Sequence, residues 1–331
     1  MSDAPFTDLI DLAASRLGGA VLLANDEFFA PKEALLKAAP AEWREHEYTD
    51  RGKWMDGWET RRRRTPGHDW CVIRLGLPGV IRGIVADTAF FRGNYPEQCE
   101  LEGCAVELVP DPESLASDAS VQWHPLVPRS ALAGDTRNLF PVTCPERITH
   151  LRFHIFPDGG VARLRVHGEA RPDAALFAPG RVLDLAALES GGYVMVCSDM
   201  FFGHRQNLVL PGHSTHMGDG WETRRRRGPG HDWTIVRLGV RGTLQRIELD
   251  TDHFKGNAPG SAMLEYCDTP GASAESLTGG SSWRALQPQT ALQPHSRHAW
   301  NVALPATATH VRLNIYPDGG VARLRLFGTP A

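Results

Sequence analysis

At 331 residues the chain is long enough for two ordinary domains, and 42% hydrophobic with 22% charged residues is a soluble, globular composition. Its net charge of −4 argues against nucleic-acid partners, because phosphate contacts need an excess of basic surface. No apolar run reaches the ~18 residues of a membrane span, and the run Leu17 to Ala24 follows Asp8 and Asp11 rather than a basic leader, so a cytoplasmic protein is expected.

In chain order, Asp8 to Leu17 has modest helical character and Ala20 to Leu23 is an apolar run of strand length. An amphipathic helix fits only Lys32 to Ala39. Trp70 to Gly76 and Val80 to Asp87 are two short runs rich in β-branched residues and bounded by Gly or Pro, which predicts two strands. His150 to Ile155 alternates polar and apolar residues, as a half-buried strand does. Pro157-Asp158-Gly159-Gly160 is a turn, and Val161 to Val166 alternates again. Glu169 to Pro179, rich in Ala and Pro, is expected to be a linker. Leu183 to Leu188 and Tyr193 to Cys197 then restart the series with a helical segment and a strand. Short strands without long helices predict an all-β protein of two tandem antiparallel jelly-roll β-sandwiches, residues 1–170 and 171–331.

The second half repeats the first in its polar residues. Asp56-Gly57-Trp58-Glu59-Thr60 with Arg61 to Arg64, then Pro66-Gly67-His68-Asp69-Trp70, returns as Asp219-Gly220-Trp221-Glu222-Thr223 with Arg224 to Arg227, then Pro229-Gly230-His231-Asp232-Trp233; only Thr65 against Gly228 differs. Pro157 to Arg165 is repeated unchanged from Pro317 to Arg325, and Asp87, Gly93 and Asn94 match Asp250, Gly256 and Asn257. The register of these matches gives the first repeat about ten extra residues before Lys53 and about three more between Cys104 and Trp123, both suited to surface loops. Identical charged and aromatic residues indicate a preserved surface, although a recent duplication would leave the same trace.

Several of these residues can carry chemistry. In an extended chain, Trp58, Thr60, Arg62 and Arg64 share one face, while Glu59, Arg61 and Arg63 share the other. Arginine holds a carboxylate through its planar fork, and all basic residues but Lys32, Lys37, Lys53 and Lys255 are arginines. The alternative is that Arg–carboxylate pairs brace the sandwich ends. His68, beside Asp69, can transfer protons, or can be a hydrogen-bonded turn residue. Asp87, Arg92 and Asn94 sit around Gly93 in a loop able to bind a ligand or cation. His213 and His216 have metal-ligand spacing but no repeated carboxylate or cysteine beside them. The six cysteines form no C-x-x-C pair, and only Cys104 and Cys267 occupy matching positions, so reduced thiols are expected. There is no G-x-S-x-G elbow and no glycine-rich phosphate loop.

The strand order, with Trp70 to Gly76, Gly83-Ile84 and Leu164-Arg165-Val166-His167-Gly168 in both halves, resembles the galactose-binding or discoidin-like sandwich. Asn25 to Pro31, Lys53 to Thr60 with its arginines, Gly67 to Trp70 and Asp87 to Pro96 together resemble the allantoicase family, from about residue 8 to 328. That resemblance implies hydrolysis of allantoate to ureidoglycolate and urea, and a cytoplasmic homo-oligomer. It hands over no settled catalytic residues. Glu59, His68 and Asp69 are the catalytic candidates. Arg61, Arg62, Arg63, Asp87, Arg92 and Asn94 are the substrate-binding candidates. Their second-repeat equivalents are Glu222, Arg224, Arg225, Arg226, His231 and Asp232. No cofactor is predicted, and a divalent cation fits as an option without an assigned metal ligand. Because Arg92 faces Lys255 and Tyr95 faces Ala258, the first repeat is favoured as the active copy. The competing reading is a non-catalytic tandem module binding an anionic or sugar ligand, or a duplicate whose arginines form subunit contacts. Binding modules usually vary their loops between copies, whereas here the polar loops are the best-preserved part.

Overall fold

The computed structural model describes residues 5–107, 111–280 and 283–331; part of the smaller insertion, 108–110, lies outside them. The chain divides into two compact units, Met1–Arg171 and Pro172–Ala331. Each is a jelly-roll β-sandwich, and among the described residues α-helix is confined to Pro112–Ser117 and Ala274–Thr278.

Each unit is organised by one long strand, Asp69–Asp87 in the first and Asp232–Asp250 in the second. The two runs separated in the sequence at Gly76 are therefore a single strand of 19 residues. Its first half pairs with Ala20–Ala24 and Arg147–Phe156, and its second half with Arg137–Pro141 and Arg163–Ala170. Gly76 and Gly79 let the chain pass closely by neighbouring backbone, so the strand crosses between leaves instead of breaking. The expected linker begins later than its composition suggests, because Glu169 and Ala170 end a strand. The helical expectations shrink to single 3-10 turns, Ser15–Leu17, Lys32–Leu36 and Leu188–Ser190, while Ile10–Asp11 and Leu183–Asp184 join sheets.

Much of the repeated polar block is construction. Trp58 and Trp221 are fully buried, and each indole N–H donates to a main-chain oxygen, of Asp26 and Asp199, at 2.8 Å. Arg163, also buried, donates to the carboxylate and the main-chain oxygen of Asp56, and Arg323 does the same with Asp219. A buried charge without its partner costs roughly 3–5 kcal/mol, which accounts for such pairs being kept together. In the Pro-Asp-Gly-Gly turn, Gly159 has φ +138°, and a Cβ on Gly160 would lie 1.9 Å from the Phe91 ring. This turn pins the loop end of the sandwich: the Asp158 carboxylate accepts from the Arg63 amide at 2.9 Å, and Thr60 bonds Gly159.

Candidate active site

The arginine run leaves the sheet directly after Trp58–Glu59, so the uniform extended faces expected for residues 58–64 do not form. Trp58 and Thr60 are buried, whereas Arg62 and Arg64 are exposed. The odd and even arginines nevertheless divide. Arg61 is paired with Asp26 at 2.6 Å and Arg63 with Asp69 at 2.5 Å; Arg224 and Arg226 pair likewise with Asp199 and Asp232. Among the described residues, Arg62, Arg64 and their copies Arg225 and Arg227 have no hydrogen-bond or ion-pair partner. Asp69 is 1% exposed, lies under Arg63 and accepts from Asn25, so it braces the loop.

His68 belongs to a separate network. Its Nε2 lies 2.9 Å from Nδ1 of His154, whose Nε2 is 3.3 Å from the Glu102 carboxylate, and Arg152 completes the chain. A carboxylate accepts, so His154 carries its proton on Nε2, accepts at Nδ1, and sets His68 as the Nε2–H tautomer. The second repeat reaches the same tautomer with an amide: His231 Nε2 donates to Asn314 Oδ1, and Asn314 Nδ2 donates to Glu265. Burial, with Arg63 nearby, pushes the His68 pKa down, and burial takes His154 down to about 4.

Glu59 stands elsewhere, in a cavity of about 350 Å³ lined by Phe29, Trp43, Lys53, Met55, Phe90, Arg92, Gly93 and Asn94. Asn94 Nδ2 donates to Glu59 Oε1 at 2.7 Å. Burial raises the Glu59 pKa above the ordinary carboxylate value, against the lowering effect of that amide bond. Arg92 is highly exposed and holds only a surface ion pair with Asp135 at 3.1 Å, a contact cheaply given up. Lys53 is anchored by the main-chain oxygens of Arg44 and Glu45, and its ammonium lies 4.8 Å from the Trp43 ring. Trp43 in turn rests 5.7 Å from Phe90, a non-glycine residue at φ +69°.

Of the residues singled out from sequence, the cavity thus gathers Glu59, Arg92 and Asn94. Arg61, Arg62, Arg63, His68 and Asp69 do not line it, and Asp87 instead ends the long strand and caps its own turn through the Ala89 amide. Trp43, Lys53 and Phe90 escaped sequence reasoning. The available signals were the ten-residue insertion and the rarity of lysine.

The second repeat keeps the pair without the surroundings. Asn257 Nδ2 donates to Glu222 Oε1 at 2.6 Å but also touches Met217 Sδ at 3.3 Å. His253, in the place of Phe90, bonds the Ser214 main-chain oxygen, which draws the shorter loop over this position. Arg225 and Arg224, like Arg226, His231 and Asp232, repeat the arrangement of the first copy. Among the described residues no group of three His, Cys, Asp or Glu is arranged to hold a metal ion, and His213 instead contacts Arg297.

The family model described as allantoicase repeat matches residues 10–171 and 183–331. A protein named probable allantoicase from Pseudomonas aeruginosa (strain UCBPP-PA14) is 47% identical over 330 residues, covering 99% of this chain and 98% of that one. Another of that name from Nocardia farcinica is 50% identical, covering 98% and 95%. The crystal structure of allantoicase from Saccharomyces cerevisiae superposes with a TM-score of 0.80 at 33% identity, covering 96% of this chain and 92% of that one.

Proposed function

The chain belongs to the allantoicase family, and from that premise we propose that the Glu59 cavity of the first repeat is where its reaction takes place. The protein hydrolyses allantoate to ureidoglycolate and urea, cleaving a carbon–nitrogen bond of a linear amidine-type substrate. The observation that carries the site assignment is a half-buried carboxyl of raised pKa, oriented by an amide, beside two cations in a cavity of substrate size.

Allantoate carries two ureido groups, a hydrogen and a carboxylate on one carbon. Arg92, with the positive charge of Lys53 behind it, suits the carboxylate. Protonated Glu59 gives its proton to the departing ureido nitrogen while the lone pair of the remaining ureido nitrogen assists breakage of the C–N bond. Urea leaves, and the carbon becomes imine-like. Water then adds its oxygen to that carbon and returns a proton to the Glu59 carboxylate. Atoms and charge balance, and one carboxyl serves as acid and then as base. Asn94 fixes the Glu59 oxygen that faces the substrate, and Phe29, Trp43 and Phe90 limit water around it.

The same donor set bears on metal dependence. The positive charges of Lys53 and Arg92 beside a single carboxylate disfavour a divalent cation in this cavity. We therefore expect purified protein to release one urea per ureidoglycolate at a rate that a chelator does not change. Loss of activity in the chelator, restored by a divalent cation, would contradict the assignment of acid–base work to Glu59 alone. No helix among the described residues is long and apolar enough to cross a membrane. A cytoplasmic location is supported by six free cysteines, of which four are buried. A homo-oligomer is supported by the exposed Phe201–Phe202 pair.

A further inference from the structure

Phe90 and Asp135 both hold the left-handed backbone conformation, at φ +69° and +50°. A bulky side chain adopts it only where its surroundings impose it. The fully buried Thr88 places Asp135: its hydroxyl lies 2.6 and 3.0 Å from the main-chain oxygens of Ala133 and Thr136. The Asp135 amide donates to the Phe91 oxygen at 3.1 Å, so residues 133–136 are tied to residues 88–91. The Asp135 carboxylate then turns back on that segment. Its Oδ1 accepts from the Phe90 amide at 2.8 Å and its Oδ2 from Arg92 Nε at 3.1 Å. Neither Nη group of Arg92 has a hydrogen-bond partner among the described residues.

The second repeat keeps the clamp and changes the carboxylate. The Thr251 hydroxyl lies 2.7 and 3.0 Å from the oxygens of Gln293 and Ser296, the His295 amide donates to Phe254, and His253 and His295 have φ +69° and +50°. Here the His253 amide donates to Nδ1 of His295 at 2.9 Å. An acceptor is thus retained at this position although the residue is not, which ties it to pinning the left-handed neighbour. The imidazole has no second, anionic oxygen, and Lys255, in the place of Arg92, has no ion pair among the described residues. Carboxylate and guanidinium occur together only in the copy with the Glu59 cavity.

The two oxygens of Asp135 therefore serve two parts of that cavity. Oδ1 fixes Phe90, whose ring rests 5.7 Å from Trp43, and Oδ2 fixes Arg92. An exposed ion pair adds little strength. What it supplies here is direction: a guanidinium held at Nε presents its Nη1–Nη2 edge, which can take both oxygens of a carboxylate. The Phe90 amide, and Arg92 after it, hold the Asp135 carboxyl below the ordinary carboxylate value. We propose that Asp135 is a positioning residue of the first-repeat site, which pins the Phe90 wall with one oxygen and aims the free edge of Arg92 at the substrate carboxylate with the other. This role rests on the assignment of the reaction to the Glu59 cavity.

The test is steady-state kinetics with allantoate on Asp135→Asn, Asp135→His and Asp135→Ala, with circular dichroism and thermal unfolding to confirm folding. Asn and His keep an acceptor for the Phe90 amide, as His295 does for His253, but lose the anionic oxygen. Both should raise KM about fivefold and leave kcat within about twofold of wild type. Ala loses both contacts and should also lower kcat, by roughly tenfold. If Asp135 acts through the guanidinium, Asp135→Asn should change KM by less than about twofold in an Arg92→Lys background. Should Asp135→Ala fail to fold, the other variants and this double-mutant cycle still decide. A KM that is unchanged or falls in Asp135→Asn, which would make the carboxylate a competitor of the substrate, overturns the proposal. So do independent effects of Asp135→Asn and Arg92→Lys, or identical kinetics in the three variants. Glu59→Gln measured in parallel separates two failures: full activity in it removes the site itself, whereas its loss beside unchanged Asp135 variants overturns the positioning role alone.

Discussion

In the first repeat, the segment 42–54 brings Trp43 and Lys53 over the Glu59–Asn94 pair and leaves a cavity; in the second, a shorter loop puts Met217 against Asn257. The pair itself is the same within 0.1 Å, at 2.7 and 2.6 Å. Identical motifs therefore do not make equivalent sites. What distinguishes the copies is the neighbouring loop, the part where the sequences diverge.

The sharpest way to break this comparison is to remove the same carboxyl from each copy. Glu59→Gln should lower kcat by ~10²- to 10⁴-fold, the usual scale for losing a general acid or base, whereas Glu222→Gln should stay within about twofold of wild type. Similar losses in both would make the repeats equivalent and dissolve the distinction.

A smaller effect is expected at the cation. Arg92→Lys installs the residue that the second repeat carries as Lys255, and should raise KM for allantoate by roughly tenfold, because an ammonium cannot reproduce the guanidinium fork. Lysine replacement of Arg62 and Arg64, which lie outside the cavity, should leave KM nearly unchanged. The reverse pattern would return the carboxylate to the arginine run.

The subtlest change concerns pH. Activity that needs protonated Glu59 is full below its folded pKa and falls as pH rises through it. Asn94 stabilises the charged carboxylate, so Asn94→Ala should move the alkaline limb of kcat to higher pH while reducing its plateau. A limb that stays in place, or moves to lower pH, would show that another group titrates there.

Much of this was legible from residue types. The tandem sandwiches followed from strand-length runs and turn residues, Glu59 and Asn94 from polar identity between repeats, and Arg92 from its place in the loop around Gly93. The split of the long strand at Gly76 was misread, because glycine and proline mark breaks locally but also permit a strand to bend between leaves. The arginines are harder to read for a related reason. Arg61 and Arg63 pair with Asp26 and Asp69, and an identical motif does not say whether it faces a ligand or its own framework. Trp43 lies in the insertion, where repeat comparison has nothing to align, and Lys53 stands just after it, opposite the unlike His216.

The most direct measurement is a crystal structure of the Glu59→Gln protein soaked with allantoate. Allantoate should lie in the first-repeat cavity, with its carboxylate on Arg92 and one ureido nitrogen within hydrogen-bond distance of residue 59. An empty first-repeat cavity, with allantoate against Glu222 or on Arg62 and Arg64, would contradict the account.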